Sequence, residues 1–449
     1  MPEATSTNPI NVVRESAYPL TGAAADYNPL MNLIGDAHFV LIGEASHGTH
    51  EFYEQRAEIT KRLIQQKGFT AVAVEADWPD AYRVNLYVQH INDDPTPAEA
   101  LADFQRFPAW MWRNTDVLHF VNWLREYNDD LPRNAARAGF YGLDLYSMYA
   151  SIEAVLNYLN RVDPEAAQRA RYRYSCFEHF DEDTQHYGYA AGFGLTPSCE
   201  QGALEQLQEL QRRSAEYIQK GGRLAADEYF YAEQNARLVK NAEAYYRSML
   251  QGRVSSWNIR DRHMAETLDQ LVAHLSHQQG KPAKVVVWEH NSHLGDARAT
   301  DMGKIGEVSV GQLVRERYGR DAVLIGFSTY TGTVTAASDW GETPELKVVR
   351  PALPDSYEAL FHETGRPRFL LQLRDDNRAI SFLRKKRLER AIGVIYLPET
   401  ERISHYFYAC LPEQFDAVIH IDDTRAVQPL DRTAYQEMKE PPETFPFAV

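Results

Sequence analysis

The chain has 449 residues, 44% of them hydrophobic and 12% aromatic, and carries a formal net charge of −16. This composition suits a globular protein with one large core or two ordinary ones and excludes extensive disorder. The charge repels a phosphate backbone and no apolar run reaches the ~18 residues of a membrane span, so neither nucleic acid nor a membrane is an expected partner. Met1–Thr7 has no basic start or apolar core of a secretory signal, which makes the cytoplasm the expected location. The three cysteines, Cys176, Cys199 and Cys410, are odd in number and far apart, and are expected as reduced thiols.

Residues 1–36 read as a polar lead-in with a short helix at about Asn28–Ile34. The apolar run Phe39–Ile42 predicts a buried strand that breaks at Gly43 into a turn carrying Glu44 and His47. A helix follows, with Phe52, Ile59, Leu63 and Ile64 at helical spacing and Gly68 after its basic last turn. Phe69–Val74 is a second strand, ending in Glu75-Ala76-Asp77. Strand, helix and strand make a βαβ unit with parallel strands, and ligands of open α/β sheets bind outside the carboxyl ends of such strands. Glu44, His47, Glu75 and Asp77 all lie there.

A helix is expected over about Asp80–Asn92. The aromatic stretch Phe104–Arg113 then reads either as a helix packed on a core or, through Trp110, as the wall of a pocket for a bulky apolar ligand. A third strand, Ala138–Leu143, also ends in an acid, Asp144. Strand signals are then absent until about residue 280, so about 145–280 is expected to be a helical insertion that covers the strand ends as a lid, or a helical unit docked elsewhere. Ala283–Trp288 is the clearest strand and enters Glu289-His290-Asn291-Ser292-His293. A fifth, Ala322–Phe327, ends at the hydroxyl-rich turn Ser328–Thr333. Further apolar runs lie at Leu346–Val349, Phe369–Leu373, Ile392–Leu397 and Ala417–Ile421, with helices at about Ser356–His362 and Ala379–Arg390. Arg384-Lys385-Lys386-Arg387 reads as a solvated helix face. The economical reading is one α/β domain over 1–449, with a mostly parallel sheet and a large helical insertion on one side of an active-site cleft.

The sequence has no Gly-x-Ser-x-Gly elbow, phosphate-binding loop, His-Glu-x-x-His or Gly-x-Gly-x-x-Gly after the first strand. What converges is Glu44, His47, Glu75, His290 and His293, with Arg56, Arg83 and Arg260 as candidate neighbours. A histidine that deprotonates water, a carboxylate on its other nitrogen, and a second histidine or an arginine at the oxyanion are the parts for direct attack of water on an acyl carbon. The same donors also suit a divalent metal, and His290-x-x-His293 has a spacing that metal sites use.

Gly43-Glu44-Ala45-Ser46-His47-Gly48-Thr49-x-Glu51-Phe52, Gly68-Phe69 with Val74-Glu75, Asn258-x-Arg260-Asp261-x-x-Met264 and Glu289-His290-Asn291-Ser292-His293 together resemble the erythromycin esterase family, over roughly residues 38–422. The Trp110-Met111-Trp112 region and Phe415–His420 belong to the resemblance. It implies a three-layer α/β core, a large helical part, a cleft between them, and hydrolysis of a macrolide macrolactone by histidine-activated water. Carried onto this chain, the histidine is His47. Glu44 and Glu75 match acidic site positions, His290 and His293 match the later histidine motif, and Arg56 matches a site arginine.

The resulting expectation is a carboxylic ester hydrolase without a cofactor. His47, Glu44, Glu75 and His290 form its catalytic set, and Arg56, His293, Arg260, Asp77 and Trp110 bind a small-molecule ester or lactone. A divalent-metal hydrolase built on the same residues is one alternative, and a non-catalytic binder of a bulky amphiphile is the other.

Overall fold

The computed structural model describes residues 8–132, 135–180, 183–219, 222–249, 252–374 and 378–431, so the reading of Met1–Thr7 lies outside the described residues. Its strands are β1 (Tyr18–Pro19), β2 (Phe39–Ile42), β3 (Ala71–Asp77), β4 (Gly139–Asp144), β5 (Val285–Trp288), β6 (Ala322–Ala336), β7 (Glu345–Val349), β8 (Arg368–Gln372), β9 (Arg387–Arg390), β10 (Tyr406–Ala409) and β11 (Ala417–Thr424). The main sheet runs β1-β8-β11-β6-β2-β5-β3-β4, with β7 paired to the far end of β6, and β9–β10 form a separate pair. The six strands from β11 to β4 are mutually parallel, while β8, β1 and β7 pair antiparallel.

Residues that alternate along the central strands feed two cores, as the period-two geometry of a strand requires. Leu41, Ala73, Val287 and Leu324 pack with the helices that lie between β4 and β5. Val40, Val74, Trp288 and Val323 pack with Phe52, Ile59 and Leu63 of the helix His50–Lys67 and with Phe120 and Val121 of the helix Thr115–Asp129. The result is a three-layer α/β structure. Both faces of the parallel strands are covered, which is why they read as unbroken apolar runs.

Chain direction in the sheet changes at β2. From β2 the chain steps past β5 to β3, whereas from β5 it crosses β2 to reach β6. The carboxyl ends of β2, β5 and β6 therefore surround a topological switch point, where a crevice opens in such sheets.

Between β4 and β5 every described element is helical, including Met148–Val162, Pro164–Tyr174, Glu200–Arg212, Gly222–Met249 and Arg253–Gln279. These helices lie on one face of the sheet, and among the described residues only Tyr146, just after β4, and Arg260, on the helix Arg253–Gln279, reach the cleft from this region. Cys176 and Cys199 do not remain separate thiols: the turn Ser175–Phe180 and the start of Glu200–Arg212 bring their Cα atoms to 5.9 Å and a disulfide joins them. Cys410 is free and buried.

Several expected elements differ. β6 does not stop at Phe327 but runs to Ala336, because Ser328–Thr333 pair with β11 and then β7. The expected helix Ala379–Arg390 is a helix only over Arg378–Leu383. Arg384–Lys386 form an exposed turn, and β9 follows with Leu388, Glu389 and Arg390 buried. Ile392–Leu397 forms no strand and makes isolated bridges to Ser46 and Ala337. Phe104–Arg113 is irregular apart from one turn at Ala109–Met111. The lead-in holds a helix, Pro9–Ser16, and the edge strand β1, neither of which the sequence reading placed.

Candidate active site

The turn after β2 is fixed by close backbone packing. A Cβ on Gly48 would lie 1.9 Å from the Thr335 carbonyl oxygen, and one on Gly43 would lie 2.1 Å from the side chain of Asn291. Only glycine lets β6 and the Asn291 turn approach so closely. Asn291 in turn donates to the Phe327 carbonyl (2.8 Å), and the His47 N–H donates to the Ile392 carbonyl (3.2 Å).

Within this loop Glu44 accepts on both sides. Its Oε1 lies 3.0 Å from His47 Nδ1 and its Oε2 takes a 3.0 Å bond from Arg56 Nη2. With a carboxylate as the acceptor, Nδ1 carries the imidazole proton and the Nε2 lone pair is left for chemistry. His47 is a wall residue of the cleft, while Glu44 stands behind it, 1% exposed.

Glu75 occupies the end of β3 and also lines the cleft. Burial acts to raise its pKa, but the charges of His293 and Arg260 outweigh that and hold it well below the usual carboxylate range. Its Oε2 accepts the His290 N–H (2.8 Å) and its Oε1 accepts from Arg260 (2.7 Å). Arg260 simultaneously forks onto Asp144 at the end of β4, with bonds of 3.0 and 2.6 Å, and reaches His293 Nε2 at 3.1 Å. His293 Nδ1 meets Asp261 at 3.0 Å, so despite the opposing effect of burial Asp261 and Glu75 raise its pKa. His290 is fully buried, and that burial, with the charge of His47 beside it, drives its pKa well below normal. Its ring centre lies 4.8 Å from that of His47. Ser292 N–H donates to its Nδ1 (3.2 Å), which puts the proton of the neutral ring on Nε2.

The cleft holds about 650 Å³ of atom-free space, its mouth included. Part of its lining is charged: Glu75, Asp77, Asp80, Asp144, Arg106 and Arg260. Another part is apolar: Phe104, Phe107, Met111, Trp112, Trp340 and Val394. Asp77 accepts from Arg106 (2.9 Å) and from the Ser147 N–H (3.1 Å). Burial and the neighbouring Asp77 charge push Asp80 up to about 8.

Of the expected residues, the structure puts His47, Glu75, Asp77 and Arg260 on the cleft wall. Arg56 is not there. It is 0% exposed, ion-paired to Glu44 and sandwiched by Tyr53 and Trp288, so it backs the dyad and cannot touch a substrate. Trp110 is 0% exposed in the core, and its neighbours Met111 and Trp112 line the cleft instead. His290 and His293 are likewise fully buried behind the wall rather than on it. Arg83 lies elsewhere, paired with Asp94 and Asp103. Asp80, Arg106, Tyr146 and Asp261 are further members of the site. Asp80 carried a signal, one turn after Asp77 at the start of the helix Trp78–Val88. Arg106 carried none. The metal alternative finds no ligand set in this geometry: Glu75, Asp144, Asp261 and His293 are engaged with Arg260 or with each other, and among the described residues no group of three or more His, Cys, Asp or Glu side chains is arranged to hold a metal ion.

Fold and site together define an α/β protein with a carboxylate–histidine dyad at the carboxyl ends of a parallel sheet. The chain belongs to the erythromycin esterase family, whose sequence model matches residues 64–424. It is similar to the erythromycin esterase type II of Escherichia coli, 24% identical over 324 residues that cover 69% of this chain and 73% of that one. It is also similar to the putative hydrolase YbfO of Bacillus subtilis strain 168, 23% identical over 440 residues, 91% of this chain and 90% of that one. Among solved structures, a succinoglycan biosynthesis protein superposes with a TM-score of 0.76 at 23% identity, over 95% of this chain and 100% of the other. A Bacillus cereus protein superposes with a TM-score of 0.77 at 21% identity, over 94% and 98%. A mutant of the erythromycin esterase EreC in its open conformation gives 0.65 at 15%, over 91% and 96%. Among the described residues no helix is long and apolar enough to cross a membrane.

Proposed function

We propose that this protein is a hydrolase that cleaves a carboxylic ester or lactone by direct attack of water, with His47 as the general base. The observation that carries the reading is the Arg56–Glu44–His47 relay, which leaves Nε2 of His47 at the cleft wall. Water bound at Nε2 gives up its proton as its oxygen attacks the acyl carbon, and Glu44 holds the imidazolium that forms. Glu75, kept ionised by Arg260 and His293, accepts a hydrogen bond from the same water and fixes its direction. Arg260 and Arg106 bring positive charge to the wall where the tetrahedral oxyanion develops. His47 then returns the proton to the departing alkoxide.

Family membership supports a hydrolase, as do the names of the two relatives. The apolar wall of Phe104, Phe107, Trp112 and Trp340 supports a bulky substrate with an extended apolar face, of which a macrolide macrolactone is one member. The test is mass spectrometry of a panel of esters and lactones, erythromycin included, incubated with the purified protein and with His47→Ala. The expected result is a product heavier by one water with the wild type alone. Conversion of nothing in the panel, or equal conversion by both proteins, overturns the reading.

A further inference from the structure

A second cavity lies on the far side of the histidine turn from the cleft. It contains about 750 Å³ of atom-free space, its mouth included, and its wall combines Trp257, Met302, Ile403, Tyr406 and Phe407 with Ser292 and Gln414. None of its residues lines the active-site cleft. The lining matches a small-molecule site: mostly apolar, with a few placed polar groups.

Three contacts tie this cavity to the site. Asn291–Leu294 is a single helical turn. It turns His290 and His293 toward Glu75 and Asp261, while Ser292 faces the second cavity and its Oγ lies 2.8 Å from His290 Nδ1. Trp257 lines the cavity and lies flat on the His293 ring, with centroids 4.4 Å apart and planes 8° from parallel. Ala391, also on the wall, precedes Ile392, whose N–H donates to Ala45 and whose carbonyl accepts the His47 N–H. Between Trp257 on the cavity wall and Glu75 and Arg260 on the cleft wall thus stands one buried ring, His293.

The polar end of the cavity favours a hydrogen-bond donor. Gln414 is 1% exposed, its Nε2 donates to Glu389 at 3.3 Å, and its Oε1 has no hydrogen-bond partner among the described residues. Its Oε1 is closed off from the cavity as the side chain stands, so a ligand hydroxyl or amine reaches it once Gln414 turns toward the cavity, and that contact satisfies a buried acceptor.

We infer that this cavity is a second binding site, for a compact molecule with an aromatic or alicyclic body and one hydrogen-bond donor, and that its occupancy changes turnover by moving Trp257 and Ser292 against His293 and His290. The site itself does not depend on the hydrolase reading, whereas its effect on turnover does.

The probe is 1-naphthol, with 1-methoxynaphthalene as the donor-free control. Calorimetric titration of the full chain is expected to give one saturable site for 1-naphthol and at least tenfold weaker binding of the methyl ether. Met302→Trp and Ser404→Phe each fill the cavity from a different wall and should each weaken 1-naphthol at least tenfold. Trp257→Phe should abolish the change in tryptophan fluorescence that accompanies saturation. In the turnover arm, saturating 1-naphthol should change kcat for an ester that the wild type hydrolyses by at least twofold, and should not do so in Met302→Trp. Absence of saturable binding, or binding unchanged in both filling variants, overturns the site. Specific binding with unaltered kcat overturns the coupling while leaving the site, and failure to find any hydrolysed ester bears on the proposed function alone.

Discussion

Replacing Glu44 by Gln separates two roles that the carboxylate holds together. The pair Glu44–Arg56 is 1% and 0% exposed, and Nε and Nη1 of Arg56 have no hydrogen-bond partner among the described residues. Apart from Glu44 the guanidinium rests on aromatic faces, Tyr53 at 4.2 Å and Trp288 at 5.2 Å. Gln keeps an oxygen for Arg56 Nη2 but removes the charge, and breaking a buried ion pair from one side costs about 3–5 kcal/mol. Its amide N–H₂ then faces His47 Nδ1, which must become an acceptor, so the imidazole proton moves to Nε2 and the base is lost. A tautomer change of this kind lowers kcat by about 10⁴-fold. Denaturant unfolding and ester hydrolysis read the two effects separately. The double variant Glu44→Gln, Arg56→Met removes the stranded charge, so it should recover most of the stability and none of the activity. Glu44→Gln that stays within tenfold of wild-type kcat, or a double variant no more stable than the single one, would refute this reasoning.

Glu289 is fully buried, neither of its oxygens has a hydrogen-bond partner among the described residues, and burial together with the Glu75 charge raises its pKa well above normal. The folded state therefore keeps a proton that the unfolded chain releases above its ordinary pKa of 4.5, and stability falls as pH rises between the two values. Glu289→Met removes that slope of at most about 1.4 kcal/mol per pH unit, so its gain in unfolding free energy should be larger at pH 8 than at pH 5; a loss at pH 8 contradicts the assignment. Asp80, pushed up to about 8, gains negative charge through that pH. KM for a cationic ester should fall as pH rises through that value in the wild type and stay flat in Asp80→Asn, and a parallel pH profile in both proteins counts against Asp80 as the cause. Gly48→Ala drives a Cβ into the Thr335 carbonyl at 1.9 Å. Overpacking of this kind costs about 1–3 kcal/mol, and hydrolysis should fall at least a hundredfold because the His47 loop must move; retention of full activity would show that the loop tolerates it.

The central strands were legible because burial on both faces writes them as short apolar runs, and the chemistry was legible because acids and histidines follow those runs directly. Glu44, His47, Glu75 and Asp77 needed only the parallel βαβ geometry to be placed together. What the sequence hid depends on tertiary partners. β9 is masked by the basic run before it, and Arg390 is buried there only because Glu401 and the carbonyls of Arg350, Thr329 and Tyr330 receive its guanidinium. Trp110 and Trp112 lie in an irregular stretch where no period says which faces the cleft. Arg56 sits a helix turn or more from the loop, and whether its side chain points at substrate or at Glu44 is a matter of packing. Cys176 and Cys199 meet through helix arrangement, which their separation of 23 residues does not encode.

In the proposed reaction water, activated by His47, attacks the acyl carbon without a covalent intermediate. Single-turnover hydrolysis in H₂¹⁸O, with protein in excess over an ester it cleaves, tests it most directly. The expected result is one ¹⁸O in the acid product, none in the protein, and no product with His47→Ala. An acylated protein trapped on quenching, ¹⁸O in a protein carboxylate, or undiminished hydrolysis by His47→Ala would contradict it.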